Sequence, residues 1–213
     1  APYNYFEQHL RERRNLAQDL RFIANDSQSG FGRLRPVIGA YLSGLRESDA
    51  QYDGWNDQYY GVGSSLLSSH YAATNAALYG SLELVRSVRD SAELGLRVEQ
   101  RTSDYADTAD PTFPTSRDTM LGGNLSWSHH SSAARQYYVT LSRGYKAGGY
   151  NIGAQIGSSQ RRFRDEALGN LELGLRGTFA ARRLEYQADV YAMRREHMQV
   201  YNSRQLNPNN PLT

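Results

Sequence analysis

Five histidines offer the widest range of chemistry in this chain, but their spacing does not indicate a catalytic or metal site. They are His9, His70, His129, His130 and His197. Adjacent residues of a strand point to opposite faces, so His129 and His130 are poorly placed to chelate one ion. No carboxylate or third ligand stands at useful spacing, and a solvated turn explains the pair better. The sequence therefore predicts no catalytic residue, no metal site and no cofactor.

Other residue types that commonly carry chemistry form no recognisable site. Serine, aspartate and histidine are all present, yet no segment resembles a nucleophile elbow or another catalytic signature. Gly148 and Gly149 follow a predicted strand, but no helix pattern opens after them, so a phosphate-cradling loop is not indicated. The chain is predicted not to be an enzyme.

Two long connecting segments hold the best candidates for ligand contact, and the first is Arg46–Thr74. It carries the aromatic residues Tyr52, Trp55, Tyr59 and Tyr60 among glycine and asparagine. Flat amphipathic rings beside adaptable polar groups suit recognition of a small molecule. The alternative is that these rings pack the segment itself or belong to an interfacial belt.

The second segment, Gly144–Gly169, is rich in cations. Its candidate residues are Tyr145, Lys146, Arg161, Arg162 and Arg164. A cluster of this kind attracts an anionic ligand. Asp165 and Glu166 follow directly, so local neutralisation of the cations is the alternative.

Composition narrows the class of protein. Across 213 residues, 24 Lys and Arg balance 22 Asp and Glu, which argues against a strongly basic nucleic-acid-binding protein and an acidic disordered tail. Sixteen tyrosines, 19 glycines and no cysteine suit an antiparallel β-protein without disulfides. No run approaches the ~18 apolar residues of a membrane helix. The start, from Ala1 to Asn4, carries no signal segment, so an exported chain would have lost its targeting region.

Eight segments alternate between apolar and polar residues, which predicts an all-β fold, an antiparallel meander. They lie near residues 15–23, 36–45, 75–85, 91–99, 120–128, 136–143, 170–179 and 184–195. Each is close to the ~9–11 residues that a tilted strand needs to cross a bilayer. The short connections are Ala24–Arg35, Arg86–Asp90, His129–Arg135 and Ala180–Arg183, and the long ones are Arg46–Thr74, Gln100–Thr119 and Gly144–Gly169. Short turns on one side and long loops on the other are typical of a transmembrane β-barrel.

In residues 170–179, and after the turn in residues 184–190, the charges lie on one face only. If Phe179 pairs with Leu184 across the last turn, Arg176 faces Gln187 on a polar face, as a water-filled lumen requires. Near the short turns the apolar face ends in aromatic residues that would form an interfacial girdle, namely Phe22, Trp127, Tyr137, Phe179 and Tyr186. A soluble β-sandwich binding module gives the same alternation, and eight strands can also close a small passive or structural barrel.

Five motifs stand in a fixed order along the chain. They are Leu16–Phe22 with Gly39–Leu42, Ala76–Gly80 with Glu93–Glu99, Ser142–Asn151, Asn170–Gly177 and Tyr191–Arg195. The third reads Ser-Arg-Gly-Tyr-Lys-Ala-Gly-Gly-Tyr-Asn. In this order and spacing the motifs resemble the TonB-dependent outer-membrane receptors, and the third resembles the end of a late barrel strand in that family.

The resemblance implies a segment of a transmembrane β-barrel, about eight of the ~22 strands of an outer-membrane transporter. Residues 1–213 would be part of the barrel domain, with the plug domain and the C-terminal closing strand absent. The implied function is energised uptake of a scarce nutrient across the outer membrane of a Gram-negative bacterium, without chemistry by the barrel.

The resemblance also implies the partners. The first ligand candidate is a ferric siderophore, with haem, cobalamin and glycans as alternatives. TonB would act through the missing N-terminal region, and outer-membrane lipid and lipopolysaccharide would surround the barrel. The cationic segment would then attract an anionic ferric chelate or lipopolysaccharide phosphates.

Overall fold

The chain forms one large antiparallel sheet in a computed structural model that describes residues 4–57, 61–109, 113–151, 158–179 and 183–200. The elements in chain order are β1 (Asn4–Ile23), β2 (Ser27–Ser29), β3 (Gly32–Asp57), β4 (Gly61–Val85), β5 (Asp90–Asp107), β6 (Ser116–Ser132), β7 (Arg135–Lys146), β8 (Gly149–Tyr150), α1 (Ser158–Arg161), β9 (Arg162–Phe163), β10 (Glu166–Phe179) and β11 (Leu184–Glu196). Within those ranges no helix has the length and apolar character needed to cross a membrane.

The strands of the main sheet are neighbours in the order in which they occur along the chain. The path is β1-β3-β4-β5-β6-β7-β10-β11, with β2 added to β3, and β8 and β9 form a separate two-stranded hairpin. All of these pairings are antiparallel. The predicted meander is therefore confirmed, and the short connections all lie at one end of the sheet. Within the described residues β1 and β11 do not pair with each other, so the sheet is open and does not close as a small barrel.

The burial of side chains is inverted relative to a water-soluble sheet. On β5 and β6 the polar Ser103 and Ser116 are only 1% and 3% exposed, whereas Leu121 and Leu125 are 49% and 52% exposed. A soluble sheet buries its leucines, because apolar surface in water is unfavourable. An apolar outer face and a polar inner face are expected of a barrel wall whose outer surface contacts lipid. We call the apolar side the outward face and the polar side the lumenal face.

The predicted register of the last hairpin is confirmed. Phe179 pairs with Leu184, and Arg176 pairs with Gln187. The Arg176 side chain turns toward β7, where its Nε donates to Gln136 Oε1 at 2.6 Å. The polar residues of this hairpin thus share the lumenal face, as the alternation predicts.

The strands extend well beyond the predicted ones, and two of the three predicted long loops are largely paired strand. In place of the loop Arg46–Thr74, β3 and β4 stay in register from Arg46↔Ala72 to Asp57↔Gly61. The segment Gln100–Thr119 likewise extends β5 to Asp107 and starts β6 at Ser116. Apolar alternation could not reveal these extensions, because both of their faces carry polar residues.

The predicted aromatic girdle lies on the outward face near the short connections. Phe22, Trp127, Tyr137 and Phe179 all expose much of their side chains there. The Trp127 ring stacks on His129, with centroids 5.8 Å apart.

The predicted turn at His129 and His130 is wrong, because both residues belong to β6. The neighbouring strand also supplies a carboxylate that the sequence did not indicate, since His129 Nδ1 lies 2.8 Å from Asp90 Oδ1.

Lumenal tyrosines lie over glycines of the facing strand. Tyr79 is paired directly with Gly39, and Tyr138 with Gly174. A Cβ at Gly39 would lie 2.2 Å from Tyr79 Cζ, and one at Gly174 would lie 2.1 Å from Tyr138 Cζ. These two positions need glycine because the ring occupies the space of a side chain.

Candidate functional site

The lumenal face of β1, β4 and β5 carries a hydrogen-bonded polar network. Tyr79 donates its hydroxyl hydrogen to Asp19 Oδ1 at 2.5 Å. Arg21 pairs with the same carboxylate at 2.6 Å, and its Nε donates to the Tyr79 hydroxyl at 2.9 Å. The charges on this wall are thus held in fixed positions by their neighbours.

Arg97 extends this network across the sheet. Its Cζ lies 5.2 Å from the ring centroid of Tyr41 and 5.6 Å from that of Tyr79, which are cation–π distances. Its Nη2 pairs with Glu99 Oε2 at 2.7 Å. The wall therefore presents tyrosine rings and paired charges rather than free cations.

Tyr145, a predicted ligand-contact residue, joins the same network. Its hydroxyl donates to Glu99 at 2.8 Å and accepts from Arg97 Nε at 2.9 Å. Simple alternation along β7 would place Tyr145 on the outward face with Leu141. The ladder between β6 and β7 ends at Gly123 opposite Arg143, and beyond that point the ring lies against Gly122.

The residues after β7 fold back over the lumenal face of β5. We call residues 147–151 and 158–165 the inward strap. In it Gly149 pairs with Phe163, so β8 and β9 form a short hairpin. Tyr150 stacks on Tyr105 with centroids 5.2 Å apart, and its hydroxyl donates to the Ser103 carbonyl at 3.1 Å. This segment reaches over the lumen instead of projecting away from the barrel.

A buried ion pair anchors the inward strap. Arg161 of α1 pairs with Asp107 of β5, and their side chains are 3% and 0% exposed. Asp107 also accepts the hydroxyl hydrogen of Tyr105 at 2.8 Å, and the Arg161 guanidinium lies over the ring of Phe113. Burial, together with the hydrogen bond to Asp107, raises the pKa of Tyr105.

This geometry changes the interpretation of the cationic segment. Arg161 is buried and does not fit the expected role of an exposed cation. Arg162 pairs with Asp118 Oδ1 at 2.9 Å. Lys146 and Arg164 are exposed, and neither takes part in an ion pair among the described residues.

Local neutralisation therefore occurs, but through carboxylates distant in sequence. Asp107 and Asp118 neutralise the two paired arginines of the segment. The expected neighbour Glu166 instead pairs with Arg195 at 3.0 Å. Only the folded sheet brings β5 and β6 next to the inward strap, so spacing along the chain could not identify these partners.

The predicted aromatic candidates fall into three groups. Trp55 lies on the extension of β3, half-buried, with its ring covering Gly63 of β4. Tyr52 instead packs against Phe6 with centroids 5.6 Å apart. Tyr59 and Tyr60 lie outside the described residues. The structure thus supports packing for Trp55 and Tyr52 while leaving part of each ring exposed.

Sequence reasoning missed a titratable network on the extension of β1 and β3. His9 Nε2 lies 2.6 Å from Glu7 Oε1, and its Nδ1 lies 3.4 Å from Asp49 Oδ1. Arg11 pairs with Asp49 at 2.6 Å. The hydrogen bond to Glu7 raises the pKa of His9, and Arg11 and His9 lower the pKa of Asp49 despite its burial. The alternation Glu-x-His-x-Arg at residues 7–11 was the available signal.

No metal-binding arrangement of three or more His, Cys, Asp or Glu side chains occurs in the part of the chain that the structure describes.

Comparison with solved structures gives consistent matches to siderophore receptors and a copper transporter. The ferric yersiniabactin uptake receptor FyuA from Yersinia pestis matches with a TM-score of 0.73 and 22% identity, over 92% of this chain and 30% of that one. The siderophore receptor PiuA from Acinetobacter baumannii matches with a TM-score of 0.66 and 13% identity, over 86% and 32%. The fold is that of a TonB-dependent receptor barrel segment.

One of the similar structures is named for copper and not for iron. The copper transporter OprC matches with a TM-score of 0.61 and 16% identity, over 88% of this chain and 30% of that one. The chain thus spans about a third of the length of these receptors. No protein-family model matches the sequence, and no curated protein matches it. The likeness establishes the fold alone.

Proposed function

We propose that residues 1–213 are part of the barrel domain of an outer-membrane receptor that imports a scarce nutrient into a Gram-negative bacterium. The observation that carries the proposal is the inverted sheet, with leucines outside and a polar lumenal network inside. Its likeness to receptor barrels, rather than to soluble sandwiches, supports this reading. The barrel performs no chemistry and is not an enzyme. A plug domain and a TonB-contacting segment would lie outside this chain.

The ligand would be captured at the end of the barrel that carries the long connections. The exposed part of Trp55, the exposed cations Lys146 and Arg164, and Tyr59 and Tyr60 are the proposed contacts. Tyr145 would act from inside the lumen, where it already holds Glu99. The inward strap narrows this end, so the ligand meets a structured surface at the lumen instead of an open channel.

A ferric siderophore is the first candidate ligand. The compared proteins named for ferric yersiniabactin, ferric catecholates and siderophores support it. Two exposed cations suit a ferric chelate that carries net negative charge. Haem, cobalamin and glycans stay as alternative ligands, and the copper transporter adds copper to the compounds worth testing.

Uptake by the complete protein tests the proposal. The gene would be expressed in a siderophore-deficient Gram-negative strain that lacks its own ferric receptors, with and without TonB. We expect one class of radiolabelled ferric siderophore to accumulate only when both the protein and TonB are present. Accumulation independent of TonB would indicate a passive pore, and no accumulation of any ferric chelate, haem, cobalamin, copper or glycan would contradict import.

A further inference from the structure

The outward face carries a band of side chains without any formal charge. On the long strands the outward positions of this band are mostly leucine, valine, isoleucine, alanine, glycine, proline or aromatic residues. The polar residues among them include Gln18, Thr74 and Gln100, which carry no charge. On β1 the band runs from Leu16 to Phe22, and on β7 from Tyr137 to Leu141. The band ends abruptly toward the long connections.

Arginines follow the band at that end on five strands. They stand within two outward positions of the last apolar or small residue and are all exposed, namely Arg14, Arg46, Arg117, Arg143 and Arg194. We call these five residues the arginine collar. Acidic residues also stand on the outward face near the collar, namely Glu12, Asp104 and Glu196, so the arginines outnumber the carboxylates at this end. At the opposite end Asp90 accompanies Arg135. The collar therefore marks the boundary of the apolar band at which outward arginines predominate.

Members of the arginine collar lie close enough to repel one another, and an anion bound between them would relieve this repulsion. Arg14 and Arg46 are directly opposite each other across β1 and β3, and like charges in that position destabilise a sheet. Arg14 has an ion pair only with Glu12, and both side chains are largely exposed. An exposed pair such as Arg14–Glu12 contributes little to stability, and Arg46 has no carboxylate partner among the described residues.

A second pair has a similar arrangement. Arg143 and Arg194 both pair with Gly169 of β10, one from each side. A side chain at Gly169 would have open space around it, with only the Arg194 carbonyl at 4.0 Å. The two arginines therefore flank a bare stretch of backbone, which leaves room for a group from outside the protein. Among the described residues Arg194 lies 3.3 Å from the Glu196 carboxylate, and Nη1 of Arg143 donates to the backbone carbonyl of Leu121.

We propose that the arginine collar binds the phosphates of a phosphorylated outer-leaflet lipid, whose acyl chains lie against the apolar band below it. Guanidinium groups bind phosphate through paired charge-assisted hydrogen bonds, and two facing arginines can share one phosphate. An arginine at the edge of a lipid-facing band reaches the headgroup level with its charged end. The proposal rests on the outer-membrane location proposed above, and it assigns the lipid contact to outward arginines instead of Arg161 and Arg162.

The test measures lipid binding to the complete protein in detergent, by native mass spectrometry. The probes are bis-phosphorylated lipid A, the same lipid without phosphates, and inorganic phosphate as a competitor. The variants are Arg14→Gln with Arg46→Gln, and Arg143→Gln with Arg194→Gln. Arg135→Gln is the matched control, since it removes an outward arginine at the other boundary. Heat-modifiable gel mobility confirms that each variant is folded.

We expect each double variant to bind bis-phosphorylated lipid A about tenfold more weakly, since a hydrogen bond to a charged group contributes about one such factor. The control should match the parent, and the dephosphorylated lipid should bind weakly to all. Equal binding by parent and double variants would overturn the proposal, as would equal binding of the two lipids. Displacement of the lipid by millimolar inorganic phosphate would show a general anion site instead. None of these outcomes depends on whether nutrient uptake is detected.

Discussion

Neighbouring residues of a strand in this sheet lie on faces of opposite character, one apolar and one polar. Leu173 is about half exposed and pairs with Val139 on β7 and Val190 on β11, so three apolar side chains share one outward row. The preceding residue, Glu172, lies on the lumenal face and accepts a hydrogen bond from the Tyr138 hydroxyl at 2.9 Å. A substitution that introduces a cation is therefore expected to lower the stability of the protein by very different amounts on the two faces.

We predict that Leu173→Arg destabilises the complete protein in lipid by ~2–4 kcal/mol, the cost of a cation near the midplane on a barrel's lipid face. Thr140→Arg is the matched control, because Thr140 lies at the same height on the lumenal face and pairs with Glu172. Its cost should be far smaller. Folding titrations in liposomes measure both. A larger cost for Thr140→Arg would mean that the two faces have been assigned the wrong way round, and equal costs would mean that the two faces do not differ in their contact with lipid.

The His9 network predicts a pH dependence outside the apolar band. The folded pKa of His9 is raised above its ordinary value of 6.5, chiefly by the hydrogen bond to Glu7. The stabilisation is then fully present below pH 6.5 and is lost as the pH rises through the raised pKa. Amide exchange of residues 4–13, corrected for intrinsic rates, should be better protected at about pH 6 than at about pH 8.

His9→Asn should abolish this pH dependence, while His70→Asn should leave it intact. His70 lies on the same extension, but its ring contacts the Ser48 hydroxyl at 3.0 Å and no carboxylate. A pH dependence that survives in the His9 variant would assign it to other groups of the extension.

Among the elements, the sequence predicts the parts of the strands with apolar alternation and misses their extensions. The eight predicted segments all occur as strands, because alternating residues form one apolar and one polar face of a sheet. The extension of β3 beyond Arg46 contains Glu47, Asp49 and Asp53, and the first two of these carboxylates pair with Arg13 and Arg11 on β1. Such pairs become visible only when the register is known.

The inward strap makes a prediction about one buried carboxylate. Asp107→Asn would leave the buried Arg161 cation without its partner, and breaking a buried pair typically costs ~3–5 kcal/mol. We expect the strap to detach before the barrel unfolds, so amide exchange of residues 158–165 should accelerate while β10 is unchanged. Asp118→Asn is the control, because its partner Arg162 is about half exposed and the pair should contribute no more than ~1 kcal/mol. Similar acceleration in both variants would mean that the buried pair is not the anchor.

For the whole molecule, the sequence predicts the architecture well and the candidate site poorly. The strand order and the last-hairpin register follow from local alternation and short turns, which are encoded over a few residues. The roles of Arg161 and Tyr145 depend on strands more than 40 residues away, through Asp107 and Glu99. No periodicity along the chain reports such contacts. The cations that stay exposed after folding, Lys146 and Arg164, are the ones that should affect a ligand.

We therefore predict that Lys146→Gln with Arg164→Gln in the complete protein weakens binding of an anionic ferric siderophore, and that the loss fades at higher salt. Exposed charges are screened over ~10 Å at 0.1 M ionic strength. Trp55→Ala should add a salt-independent loss of binding free energy, ~2 kcal/mol if the ring anchors the ligand and much less if it only covers Gly63.

Arg162→Gln is the matched control, because its charge is already paired with Asp118. Equilibrium titration of ferric siderophores, haem and cobalamin at two salt concentrations distinguishes these cases. If the control weakens binding as much as the double variant, the paired arginine also reaches the ligand, and unchanged affinity in every variant would place the contacts outside these residues.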